Sequence, residues 1–149
     1  MNETATATST GPSASISRGC EMANLKRYTL VDSWKDWGIT LEVDHDLLTS
    51  ELATLINEFW SGHEYRLEQA GGDVVWAVVR MAAERFVYAL LEVGGGLVSS
   101  SHQAEIWTEK LHDQEGWGGT AKGSAFGRCG IRLVEADVEV VLDLEFKEA

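Results

Sequence analysis

The sequence predicts an α+β domain: a four-stranded antiparallel sheet with helices packed on one face, in the order ββ-ααα(α)-ββ. Three observations favour this class. Segments that alternate between apolar and polar residues stand near both ends of the chain, at residues 26–46 and 131–146. Between them, apolar residues recur every three or four positions, as on one side of a helix. Only tight turns separate neighbouring alternating segments, which is typical of antiparallel strands.

The first alternating region predicts two strands, KRYTLVD at residues 26–32 and GITLEVDHD at residues 38–46. In the second strand, Ile39, Leu41 and Val43 alternate with polar residues, as expected when one face is buried. The intervening SWKDWG contains turn-forming residues, so we expect a hairpin.

Four helices are predicted next. The first follows a cap at Thr49 or Ser50 and ends at Gly62, and HEYRLEQAGG forms a short second helix. Asp73 caps the third and longest helix, which ends at Gly94. The predicted buried stripe of the first helix consists of Leu52, Leu55, Ile56 and Phe59. The fourth helix is capped by Ser100 or Ser101, and its predicted inward residues are Ile106, Trp107 and Leu111.

The chain after the fourth helix first becomes rich in glycine. Residues 116–130 contain six glycines, so we expect a loop there. The final segment, IRLVEADVEVVLDLEF, predicts two strands around a turn at residues 135–137.

Length and composition predict one soluble domain. Residues 1–23 are rich in Ser, Thr, Ala and Gly and are predicted to be a disordered tail, whereas residues 24–149 form a single α+β domain. The chain has neither a membrane-spanning apolar run nor the apolar centre of a signal peptide, so we expect a cytoplasmic protein with no membrane partner. Cys20 and Cys129 are expected to be free thiols.

The chain carries 24 acidic and 12 basic residues, for a net charge of −12. The tail holds Glu3, Glu21 and Arg18, which leaves 22 acidic and 11 basic residues in the folded part. This balance disfavours direct binding of nucleic acids and of anionic membranes. A basic protein surface is the partner that such a field attracts. The alternative is that the acidity serves solubility alone.

We predict that the sheet face opposite the helices is an acidic partner-binding surface. Its predicted members are Glu42, Asp44, Asp137, Glu139, Asp143 and Glu145. The alternative is a solvated face whose charges pair across strands, and open sheet edges also permit a homodimer. Tryptophans in turns or loops either cover the core or anchor the partner. These are Trp34, Trp37 and Trp117.

Motifs of common catalytic sites are not matched. His63 begins HEYRL, which lacks the second histidine of the zinc motif HExxH, and Lys122 precedes Gly123 in an order that does not fit a phosphate-binding loop. Nothing marks Cys129 as a nucleophile. We therefore expect no enzymatic activity, no metal and no cofactor. The alternative is a small-molecule-binding module or enzyme with a pocket near the Gly-rich loop 116–130. Its lining would include Trp107, His112 and Trp117.

Several motifs resemble, in their order, an uncharacterised bacterial family. They span residues 25–142 and include LKRYTLVDSWKDWGITLEVDHD, LATLINEFW, GGDVVWAVVR, EIWTEKLHDQEGWGGTAKG and GIRLVEADVEV. The family is a domain of unknown function whose members occur on prophages and other mobile elements. The resemblance implies this setting and assigns no catalytic residues. We therefore expect a small acidic interaction protein of a mobile element. Its most specific form is an inhibitor of a host defence or nucleic-acid-binding complex that presents carboxylates in place of DNA phosphates.

Overall fold

The computed structural model describes residues 24–140 and 144–148. The elements are β1 (Leu25–Asp32), β2 (Trp37–Asp44), α1 (Ser50–Phe59), α2 (His63–Gln69), α3 (Val74–Glu92), β3 (Gly96–Val98), α4 (Ser101–His112) and β4 (Ile131–Val138). The predicted α+β class with four antiparallel strands is confirmed. The predicted tail, residues 1–23, lies outside the described residues. None of the helices within the described ranges is long and apolar enough to cross a bilayer.

The four strands form one antiparallel sheet in the order β1-β2-β4-β3. Leu41 of β2 and Leu133 of β4 are fully buried on the side that faces α3. Because side chains alternate along a strand, Glu42 and Arg132 lie on the other side. The sheet therefore has an apolar inner face and a polar outer face.

The prediction of a second hairpin, in residues 131–146, is wrong. Residues 135–137, predicted to form a turn, continue β4 as a single strand. Thr40 of β2 pairs with Glu135, whereas the next residue, Leu41, pairs with Leu133. Val134 between them therefore has no partner in β2 and forms a β-bulge. Such a bulge interrupts the apolar alternation without reversing the chain. The change in pattern around Val134 therefore indicates a bulge and not a turn.

The remaining strand of the sheet, β3, was not predicted from the sequence. Its three residues pair with the end of β4, from Val98 opposite Ala136 to Gly96 opposite Val138. Three residues are too few to show an alternating pattern. The strand predicted beyond β4 does not form at residues 139–140 or 144–148, which have no strand structure.

Helix α3 is the central helix. The carboxylate of Asp73 accepts a hydrogen bond from the amide of Trp76, which caps the helix as predicted. Val79, Ala82 and Phe86 are buried against the sheet and the neighbouring helices. Their spacing of three and four residues places them on one side of the helix. This side of α3 therefore forms the middle of the core.

Helix α1 buries a different side from the predicted one. Leu55 and Phe59 are exposed, whereas Ala53, Ile56 and Asn57 are buried. Most contacts of α1 with other elements are made with α3. The predicted stripe was therefore correct at Ile56, but the buried side of α1 is turned toward Ala53 and Asn57.

Helix α4 lies beside the first half of β4, which β3 does not reach. The backbone amide of Leu133 donates to Oγ1 of Thr108 at 2.9 Å. Nε2 of His112 donates to the carbonyl oxygen of Ile131 at 2.8 Å. Buried backbone groups without hydrogen-bond partners are costly. Side chains of α4 therefore supply to β4 the hydrogen bonds that another strand would otherwise supply.

Candidate functional site

A groove of about 1010 Å³ lies between α4 and the Gly-rich loop. Residues of the loop from Thr120 to Ala125 form one wall, and α4 forms the other. Arg132 and Leu133 of β4 are at the floor. Of the three residues proposed to line a pocket in this region, His112 does so, whereas Trp107 and Trp117 do not. The groove is therefore present near the predicted loop but is more polar than predicted.

The α4 wall of the groove carries Glu105, Glu109 and Asp113, here called the α4 carboxylates. They are four residues apart, which places them on one side of the helix at steps of about 6 Å. All three are exposed, and none forms an ion pair with any other described residue. The wall thus presents a row of negative charges, and Lys122 on the opposite wall forms no ion pair with them.

The position of these charges on the helix is unfavourable without a partner. Asp113 is the C-cap of α4, and Glu109 is in its last turn. The C-terminal end of a helix carries about half a negative charge, so that cations are favoured there and anions are disfavoured. Lys110 lies in the same last turn and offsets part of this repulsion, and a cationic group in the groove would relieve the part that remains.

The loop wall is held against α4 by close contacts. The backbone amide of Gly119 donates to the carbonyl oxygen of His112 at 3.0 Å. Gly127 has a φ of 62°, and a Cβ added there would lie 2.5 Å from Nδ1 of His112. Only glycine permits this approach. The groove therefore depends on glycines at particular positions and not on the glycine content of the loop alone.

On the outer face of the sheet, Glu42 is paired with two arginines. Oε1 of Glu42 accepts from Nη2 of Arg132 at 2.6 Å, and Oε2 accepts from Nε of Arg27 at 3.3 Å. Burial raises the pKa of Glu42, but the hydrogen bonds and charges of Arg132 and Arg27 outweigh this effect and hold the pKa below its ordinary value. This predicted member of the acidic surface is therefore neutralised within the protein.

The other predicted acidic residues are spread along the sheet. Asp44 is at one end of β2, and Asp137 pairs with Gly38 near the other end. The six-residue separation along β2 corresponds to about 20 Å. The remaining predicted acids are Glu139 and Glu145, both exposed, and Asp143, which lies outside the described residues. The described members thus do not form one compact cluster.

The three tryptophans predicted in turns and loops have different environments. Trp34 is 90% exposed in the β1–β2 turn. Trp37 is half-buried, and its Nε1 donates to the carbonyl oxygen of Glu139 at 3.0 Å. Trp117 is fully buried in the core. Of the three, Trp34 therefore leaves the most ring surface for a partner.

Several basic side chains are engaged by groups other than carboxylates. Arg66 donates to the carbonyl oxygens of Asn57, Trp60 and Ser61 at the end of α1. Arg85 lies over the ring of Trp60, with 4.5 Å between the guanidinium carbon and the ring centroid. Within residues 24–140 and 144–148, Glu42 is the only carboxylate in an ion pair with lysine or arginine. Within this part of the chain, the excess of acidic residues is consequently an excess of carboxylates without an ion pair.

The described residues offer little for metal or thiolate chemistry. No group of three or more His, Cys, Asp or Glu side chains among them could hold a metal ion. Cys129 is buried, and this burial raises the pKa of its thiol to about 11. Near neutral pH the thiol is therefore protonated, and a nucleophilic thiolate is disfavoured.

The α4 carboxylates were not recognised as a site from the sequence. Their spacing, Glu105-x₃-Glu109-x₃-Asp113, is visible there and predicts one shared helix side. The same spacing is common on solvated helices, however. What distinguishes these residues is the loop opposite them, and its position depends on contacts such as that between Gly127 and His112.

The comparisons with known proteins identify the family. The family described as "Protein of unknown function (DUF2528)" matches residues 38–146. The chain is 34% identical over 122 residues to "Lambda prophage-derived protein ea10" of Escherichia coli O6:H1 and to "Protein ea10" of Escherichia phage lambda. Each alignment covers 82% of this chain and 93% of the relative. No solved structure matches the chain. The predicted family resemblance is confirmed: the chain belongs to the DUF2528 family.

Proposed function

We propose that the protein is a small non-enzymatic interaction protein of a mobile genetic element that binds a basic surface of a protein partner. The observation that carries this proposal is the pairing of charges: Glu42 alone among the described carboxylates has a lysine or arginine partner. The α4 carboxylates are the favoured contact because they form a row along a groove. The phage and prophage named for the ea10 relatives support the mobile-element setting.

The most specific version of this proposal is that the protein inhibits a host defence or nucleic-acid-binding complex. Proteins that bind nucleic acids gain much of their affinity from lysine and arginine placed against phosphates. A row of carboxylates at steps of about 6 Å offers such a basic cleft a substitute for the phosphates. The negative field of the whole protein would accelerate the encounter, and this acceleration would decrease as salt increases.

The test is capture of basic proteins from a bacterial lysate by the immobilised protein, followed by measurement of the affinity for the captured partner. The charge variant replaces the α4 carboxylates, as Glu105→Gln, Glu109→Gln and Asp113→Asn. The matched control makes the same change in net charge on exposed residues of α1 and α2, as Glu58→Gln, Glu64→Gln and Glu68→Gln. Capture at about 50 mM and about 500 mM NaCl separates electrostatic from other binding.

We expect the charge variant to bind the partner about tenfold more weakly, since three exposed ion pairs are together worth about 1.4 kcal/mol. The matched control should remain within about twofold of the unmodified protein. Equal losses in both variants would show that only net charge matters and would remove the role of the groove. Failure of the unmodified protein to capture any basic protein at low salt would contradict the proposed function itself.

A second candidate function is binding of a small polar molecule in the same groove. The volume of about 1010 Å³ and the side chains of Thr120, Ser124 and Arg132 favour it. A thermal-shift screen of metabolites would detect such a ligand. A stabilising ligand whose effect is lost in Arg132→Gln but kept in Arg128→Gln would support this function. A screen without any stabilising compound would count against it.

A further inference from the structure

A second cavity, of about 320 Å³, lies at the β1 edge of the sheet, on the side away from α4. Tyr28 of β1 and Trp76 in the first turn of α3 form two of its walls. Their ring centroids are 5.5 Å apart, and the ring planes are inclined at 50°. Nε2 of His45 shares a hydrogen bond of 2.8 Å with the hydroxyl of Tyr28. Asp73 also lines the cavity, which thus combines two aromatic rings with one carboxylate.

Asp73 contributes its carboxylate to this cavity and also caps α3. Its Oδ1 accepts from the amide of Trp76 at 3.1 Å and caps α3, while Oδ2 has no hydrogen-bond partner among the described residues. The positive end of a helix is equivalent to about half a charge, so the full charge of the carboxylate exceeds it. Burial, and after it the charge of Asp73, raises the pKa of Tyr28. The field of Asp73 therefore extends to the aromatic wall.

We propose that this cavity binds an alkylammonium group, from either a lysine side chain of a protein or a free aliphatic amine. The faces of Trp and Tyr rings attract cations, and Trp attracts them most strongly. Val75 and Val79 provide apolar surface for the alkyl part. Lys26 is on the same side of β1 but is exposed and does not line the cavity. This site is distinct from the groove along α4, so the proposal does not depend on the proposed function.

The experiment follows the indole N–H signal of Trp76 by NMR, assigned with Trp76→Phe. The cationic probe is choline, and its uncharged isostere is 3,3-dimethylbutan-1-ol. Titration at about pH 8 keeps an ordinary histidine neutral. Asp73→Asn removes the charge and keeps a residue that caps helices well. Glu58→Gln makes the same change in charge at an exposed position of α1 and is the control.

We expect a saturable shift with choline and none with the isostere. Asp73→Asn should weaken choline binding at least about fivefold, whereas Glu58→Gln should leave it within about twofold. Equal binding of the isostere would show a merely apolar cavity and overturn the proposal. An unaltered affinity in folded Asp73→Asn, or no saturation with either choline or butylammonium, would also overturn it. Titrations with butylammonium and with a lysine-containing peptide then distinguish the two sources. Tighter binding of the peptide than of butylammonium would identify a lysine side chain of a protein as the ligand.

Discussion

Glu42 illustrates how a single acidic residue can be removed from a binding surface. Its side chain is only 14% exposed and is held between Arg27 and Arg132 on the two neighbouring strands. Arg132 also packs over the ring of Phe126 from the Gly-rich loop. Through Arg132, Glu42 therefore connects the outer face of the sheet with the floor of the groove.

Replacement of Glu42 should destabilise the protein in a pH-dependent manner. Because its pKa in the folded protein lies below the ordinary value, its stabilising effect is present above about pH 4.3 and is lost as pH falls through the folded pKa. We expect Glu42→Gln to lower the free energy of unfolding by about 2 kcal/mol near pH 7. The difference should nearly vanish near pH 2. Urea denaturation at both pH values measures it.

The control for this prediction is Asp137→Asn, which also removes a carboxylate from the outer face of the sheet. Asp137 is exposed and has no ion pair with another described residue. Its replacement should change the stability by no more than about 0.5 kcal/mol at either pH. A pH-independent loss in Glu42→Gln would indicate that packing, and not the charge, is responsible.

Helix α4 and strand β4 form a unit in which side chains take over the role of a missing strand. The hydrogen bonds of Thr108 and His112 engage the backbone of Leu133 and Ile131. At the other end of the helix, Ser100 and Gln103 form a capping box that fixes where α4 begins. These contacts set the position of α4, and consequently that of the α4 carboxylates along the groove.

Removal of the Thr108 hydroxyl should loosen this unit. Thr108→Val keeps the shape but leaves the buried amide of Leu133 without an acceptor, which is expected to cost about 1–3 kcal/mol of unfolding free energy. Thr108→Ser keeps the acceptor and should cost less, about 1 kcal/mol. Chemical denaturation and hydrogen exchange of the Leu133 amide measure these effects. A smaller loss in the valine variant than in the serine variant would contradict the role of the hydrogen bond.

At the scale of the whole molecule, negative charge is in excess, and in the part of the chain that the structure describes it is mostly unpaired. The sequence carries a net charge of −12, and the structure pairs few of its described carboxylates with arginine or lysine. Like charges on a compact surface repel one another and destabilise the folded state. The same repulsion decreases when a basic partner or salt is present, so stability and binding are linked through the same charges.

Salt should therefore stabilise this protein. Raising NaCl from about 50 mM to about 500 mM shortens the screening length from roughly 14 Å to roughly 4 Å. We expect the free energy of unfolding to increase by about 1 kcal/mol, because surface repulsion is screened more than the half-buried pairs of Glu42. Thermal denaturation at both concentrations measures the change. The variant that replaces Glu58, Glu64 and Glu68 should gain less, and a loss of stability with salt would show that attractive pairs dominate.

Several elements could be predicted from the sequence because their signals are local. The cap at Asp73 is confirmed, and of the predicted pairs Thr49 or Ser50 and Ser100 or Ser101 the first residue is the cap in each case. These predictions succeed because a capping side chain needs only an amide two or three residues away. The alternation of β2 predicted its buried face correctly for the same reason. In contrast, Leu55 and Phe59 were predicted to be buried, and the neighbours of α1 decide otherwise.

The sequence by itself determined the fold class, the helices, the first hairpin and the negative charge, because these follow from local periodicity, caps and composition. The tertiary structure decided which charges are free. Glu42 and Arg132 are 90 residues apart in the chain, and the groove requires a loop glycine against His112. Contacts between distant residues depend on how strands register and helices pack, and a bulge at a single residue can change them.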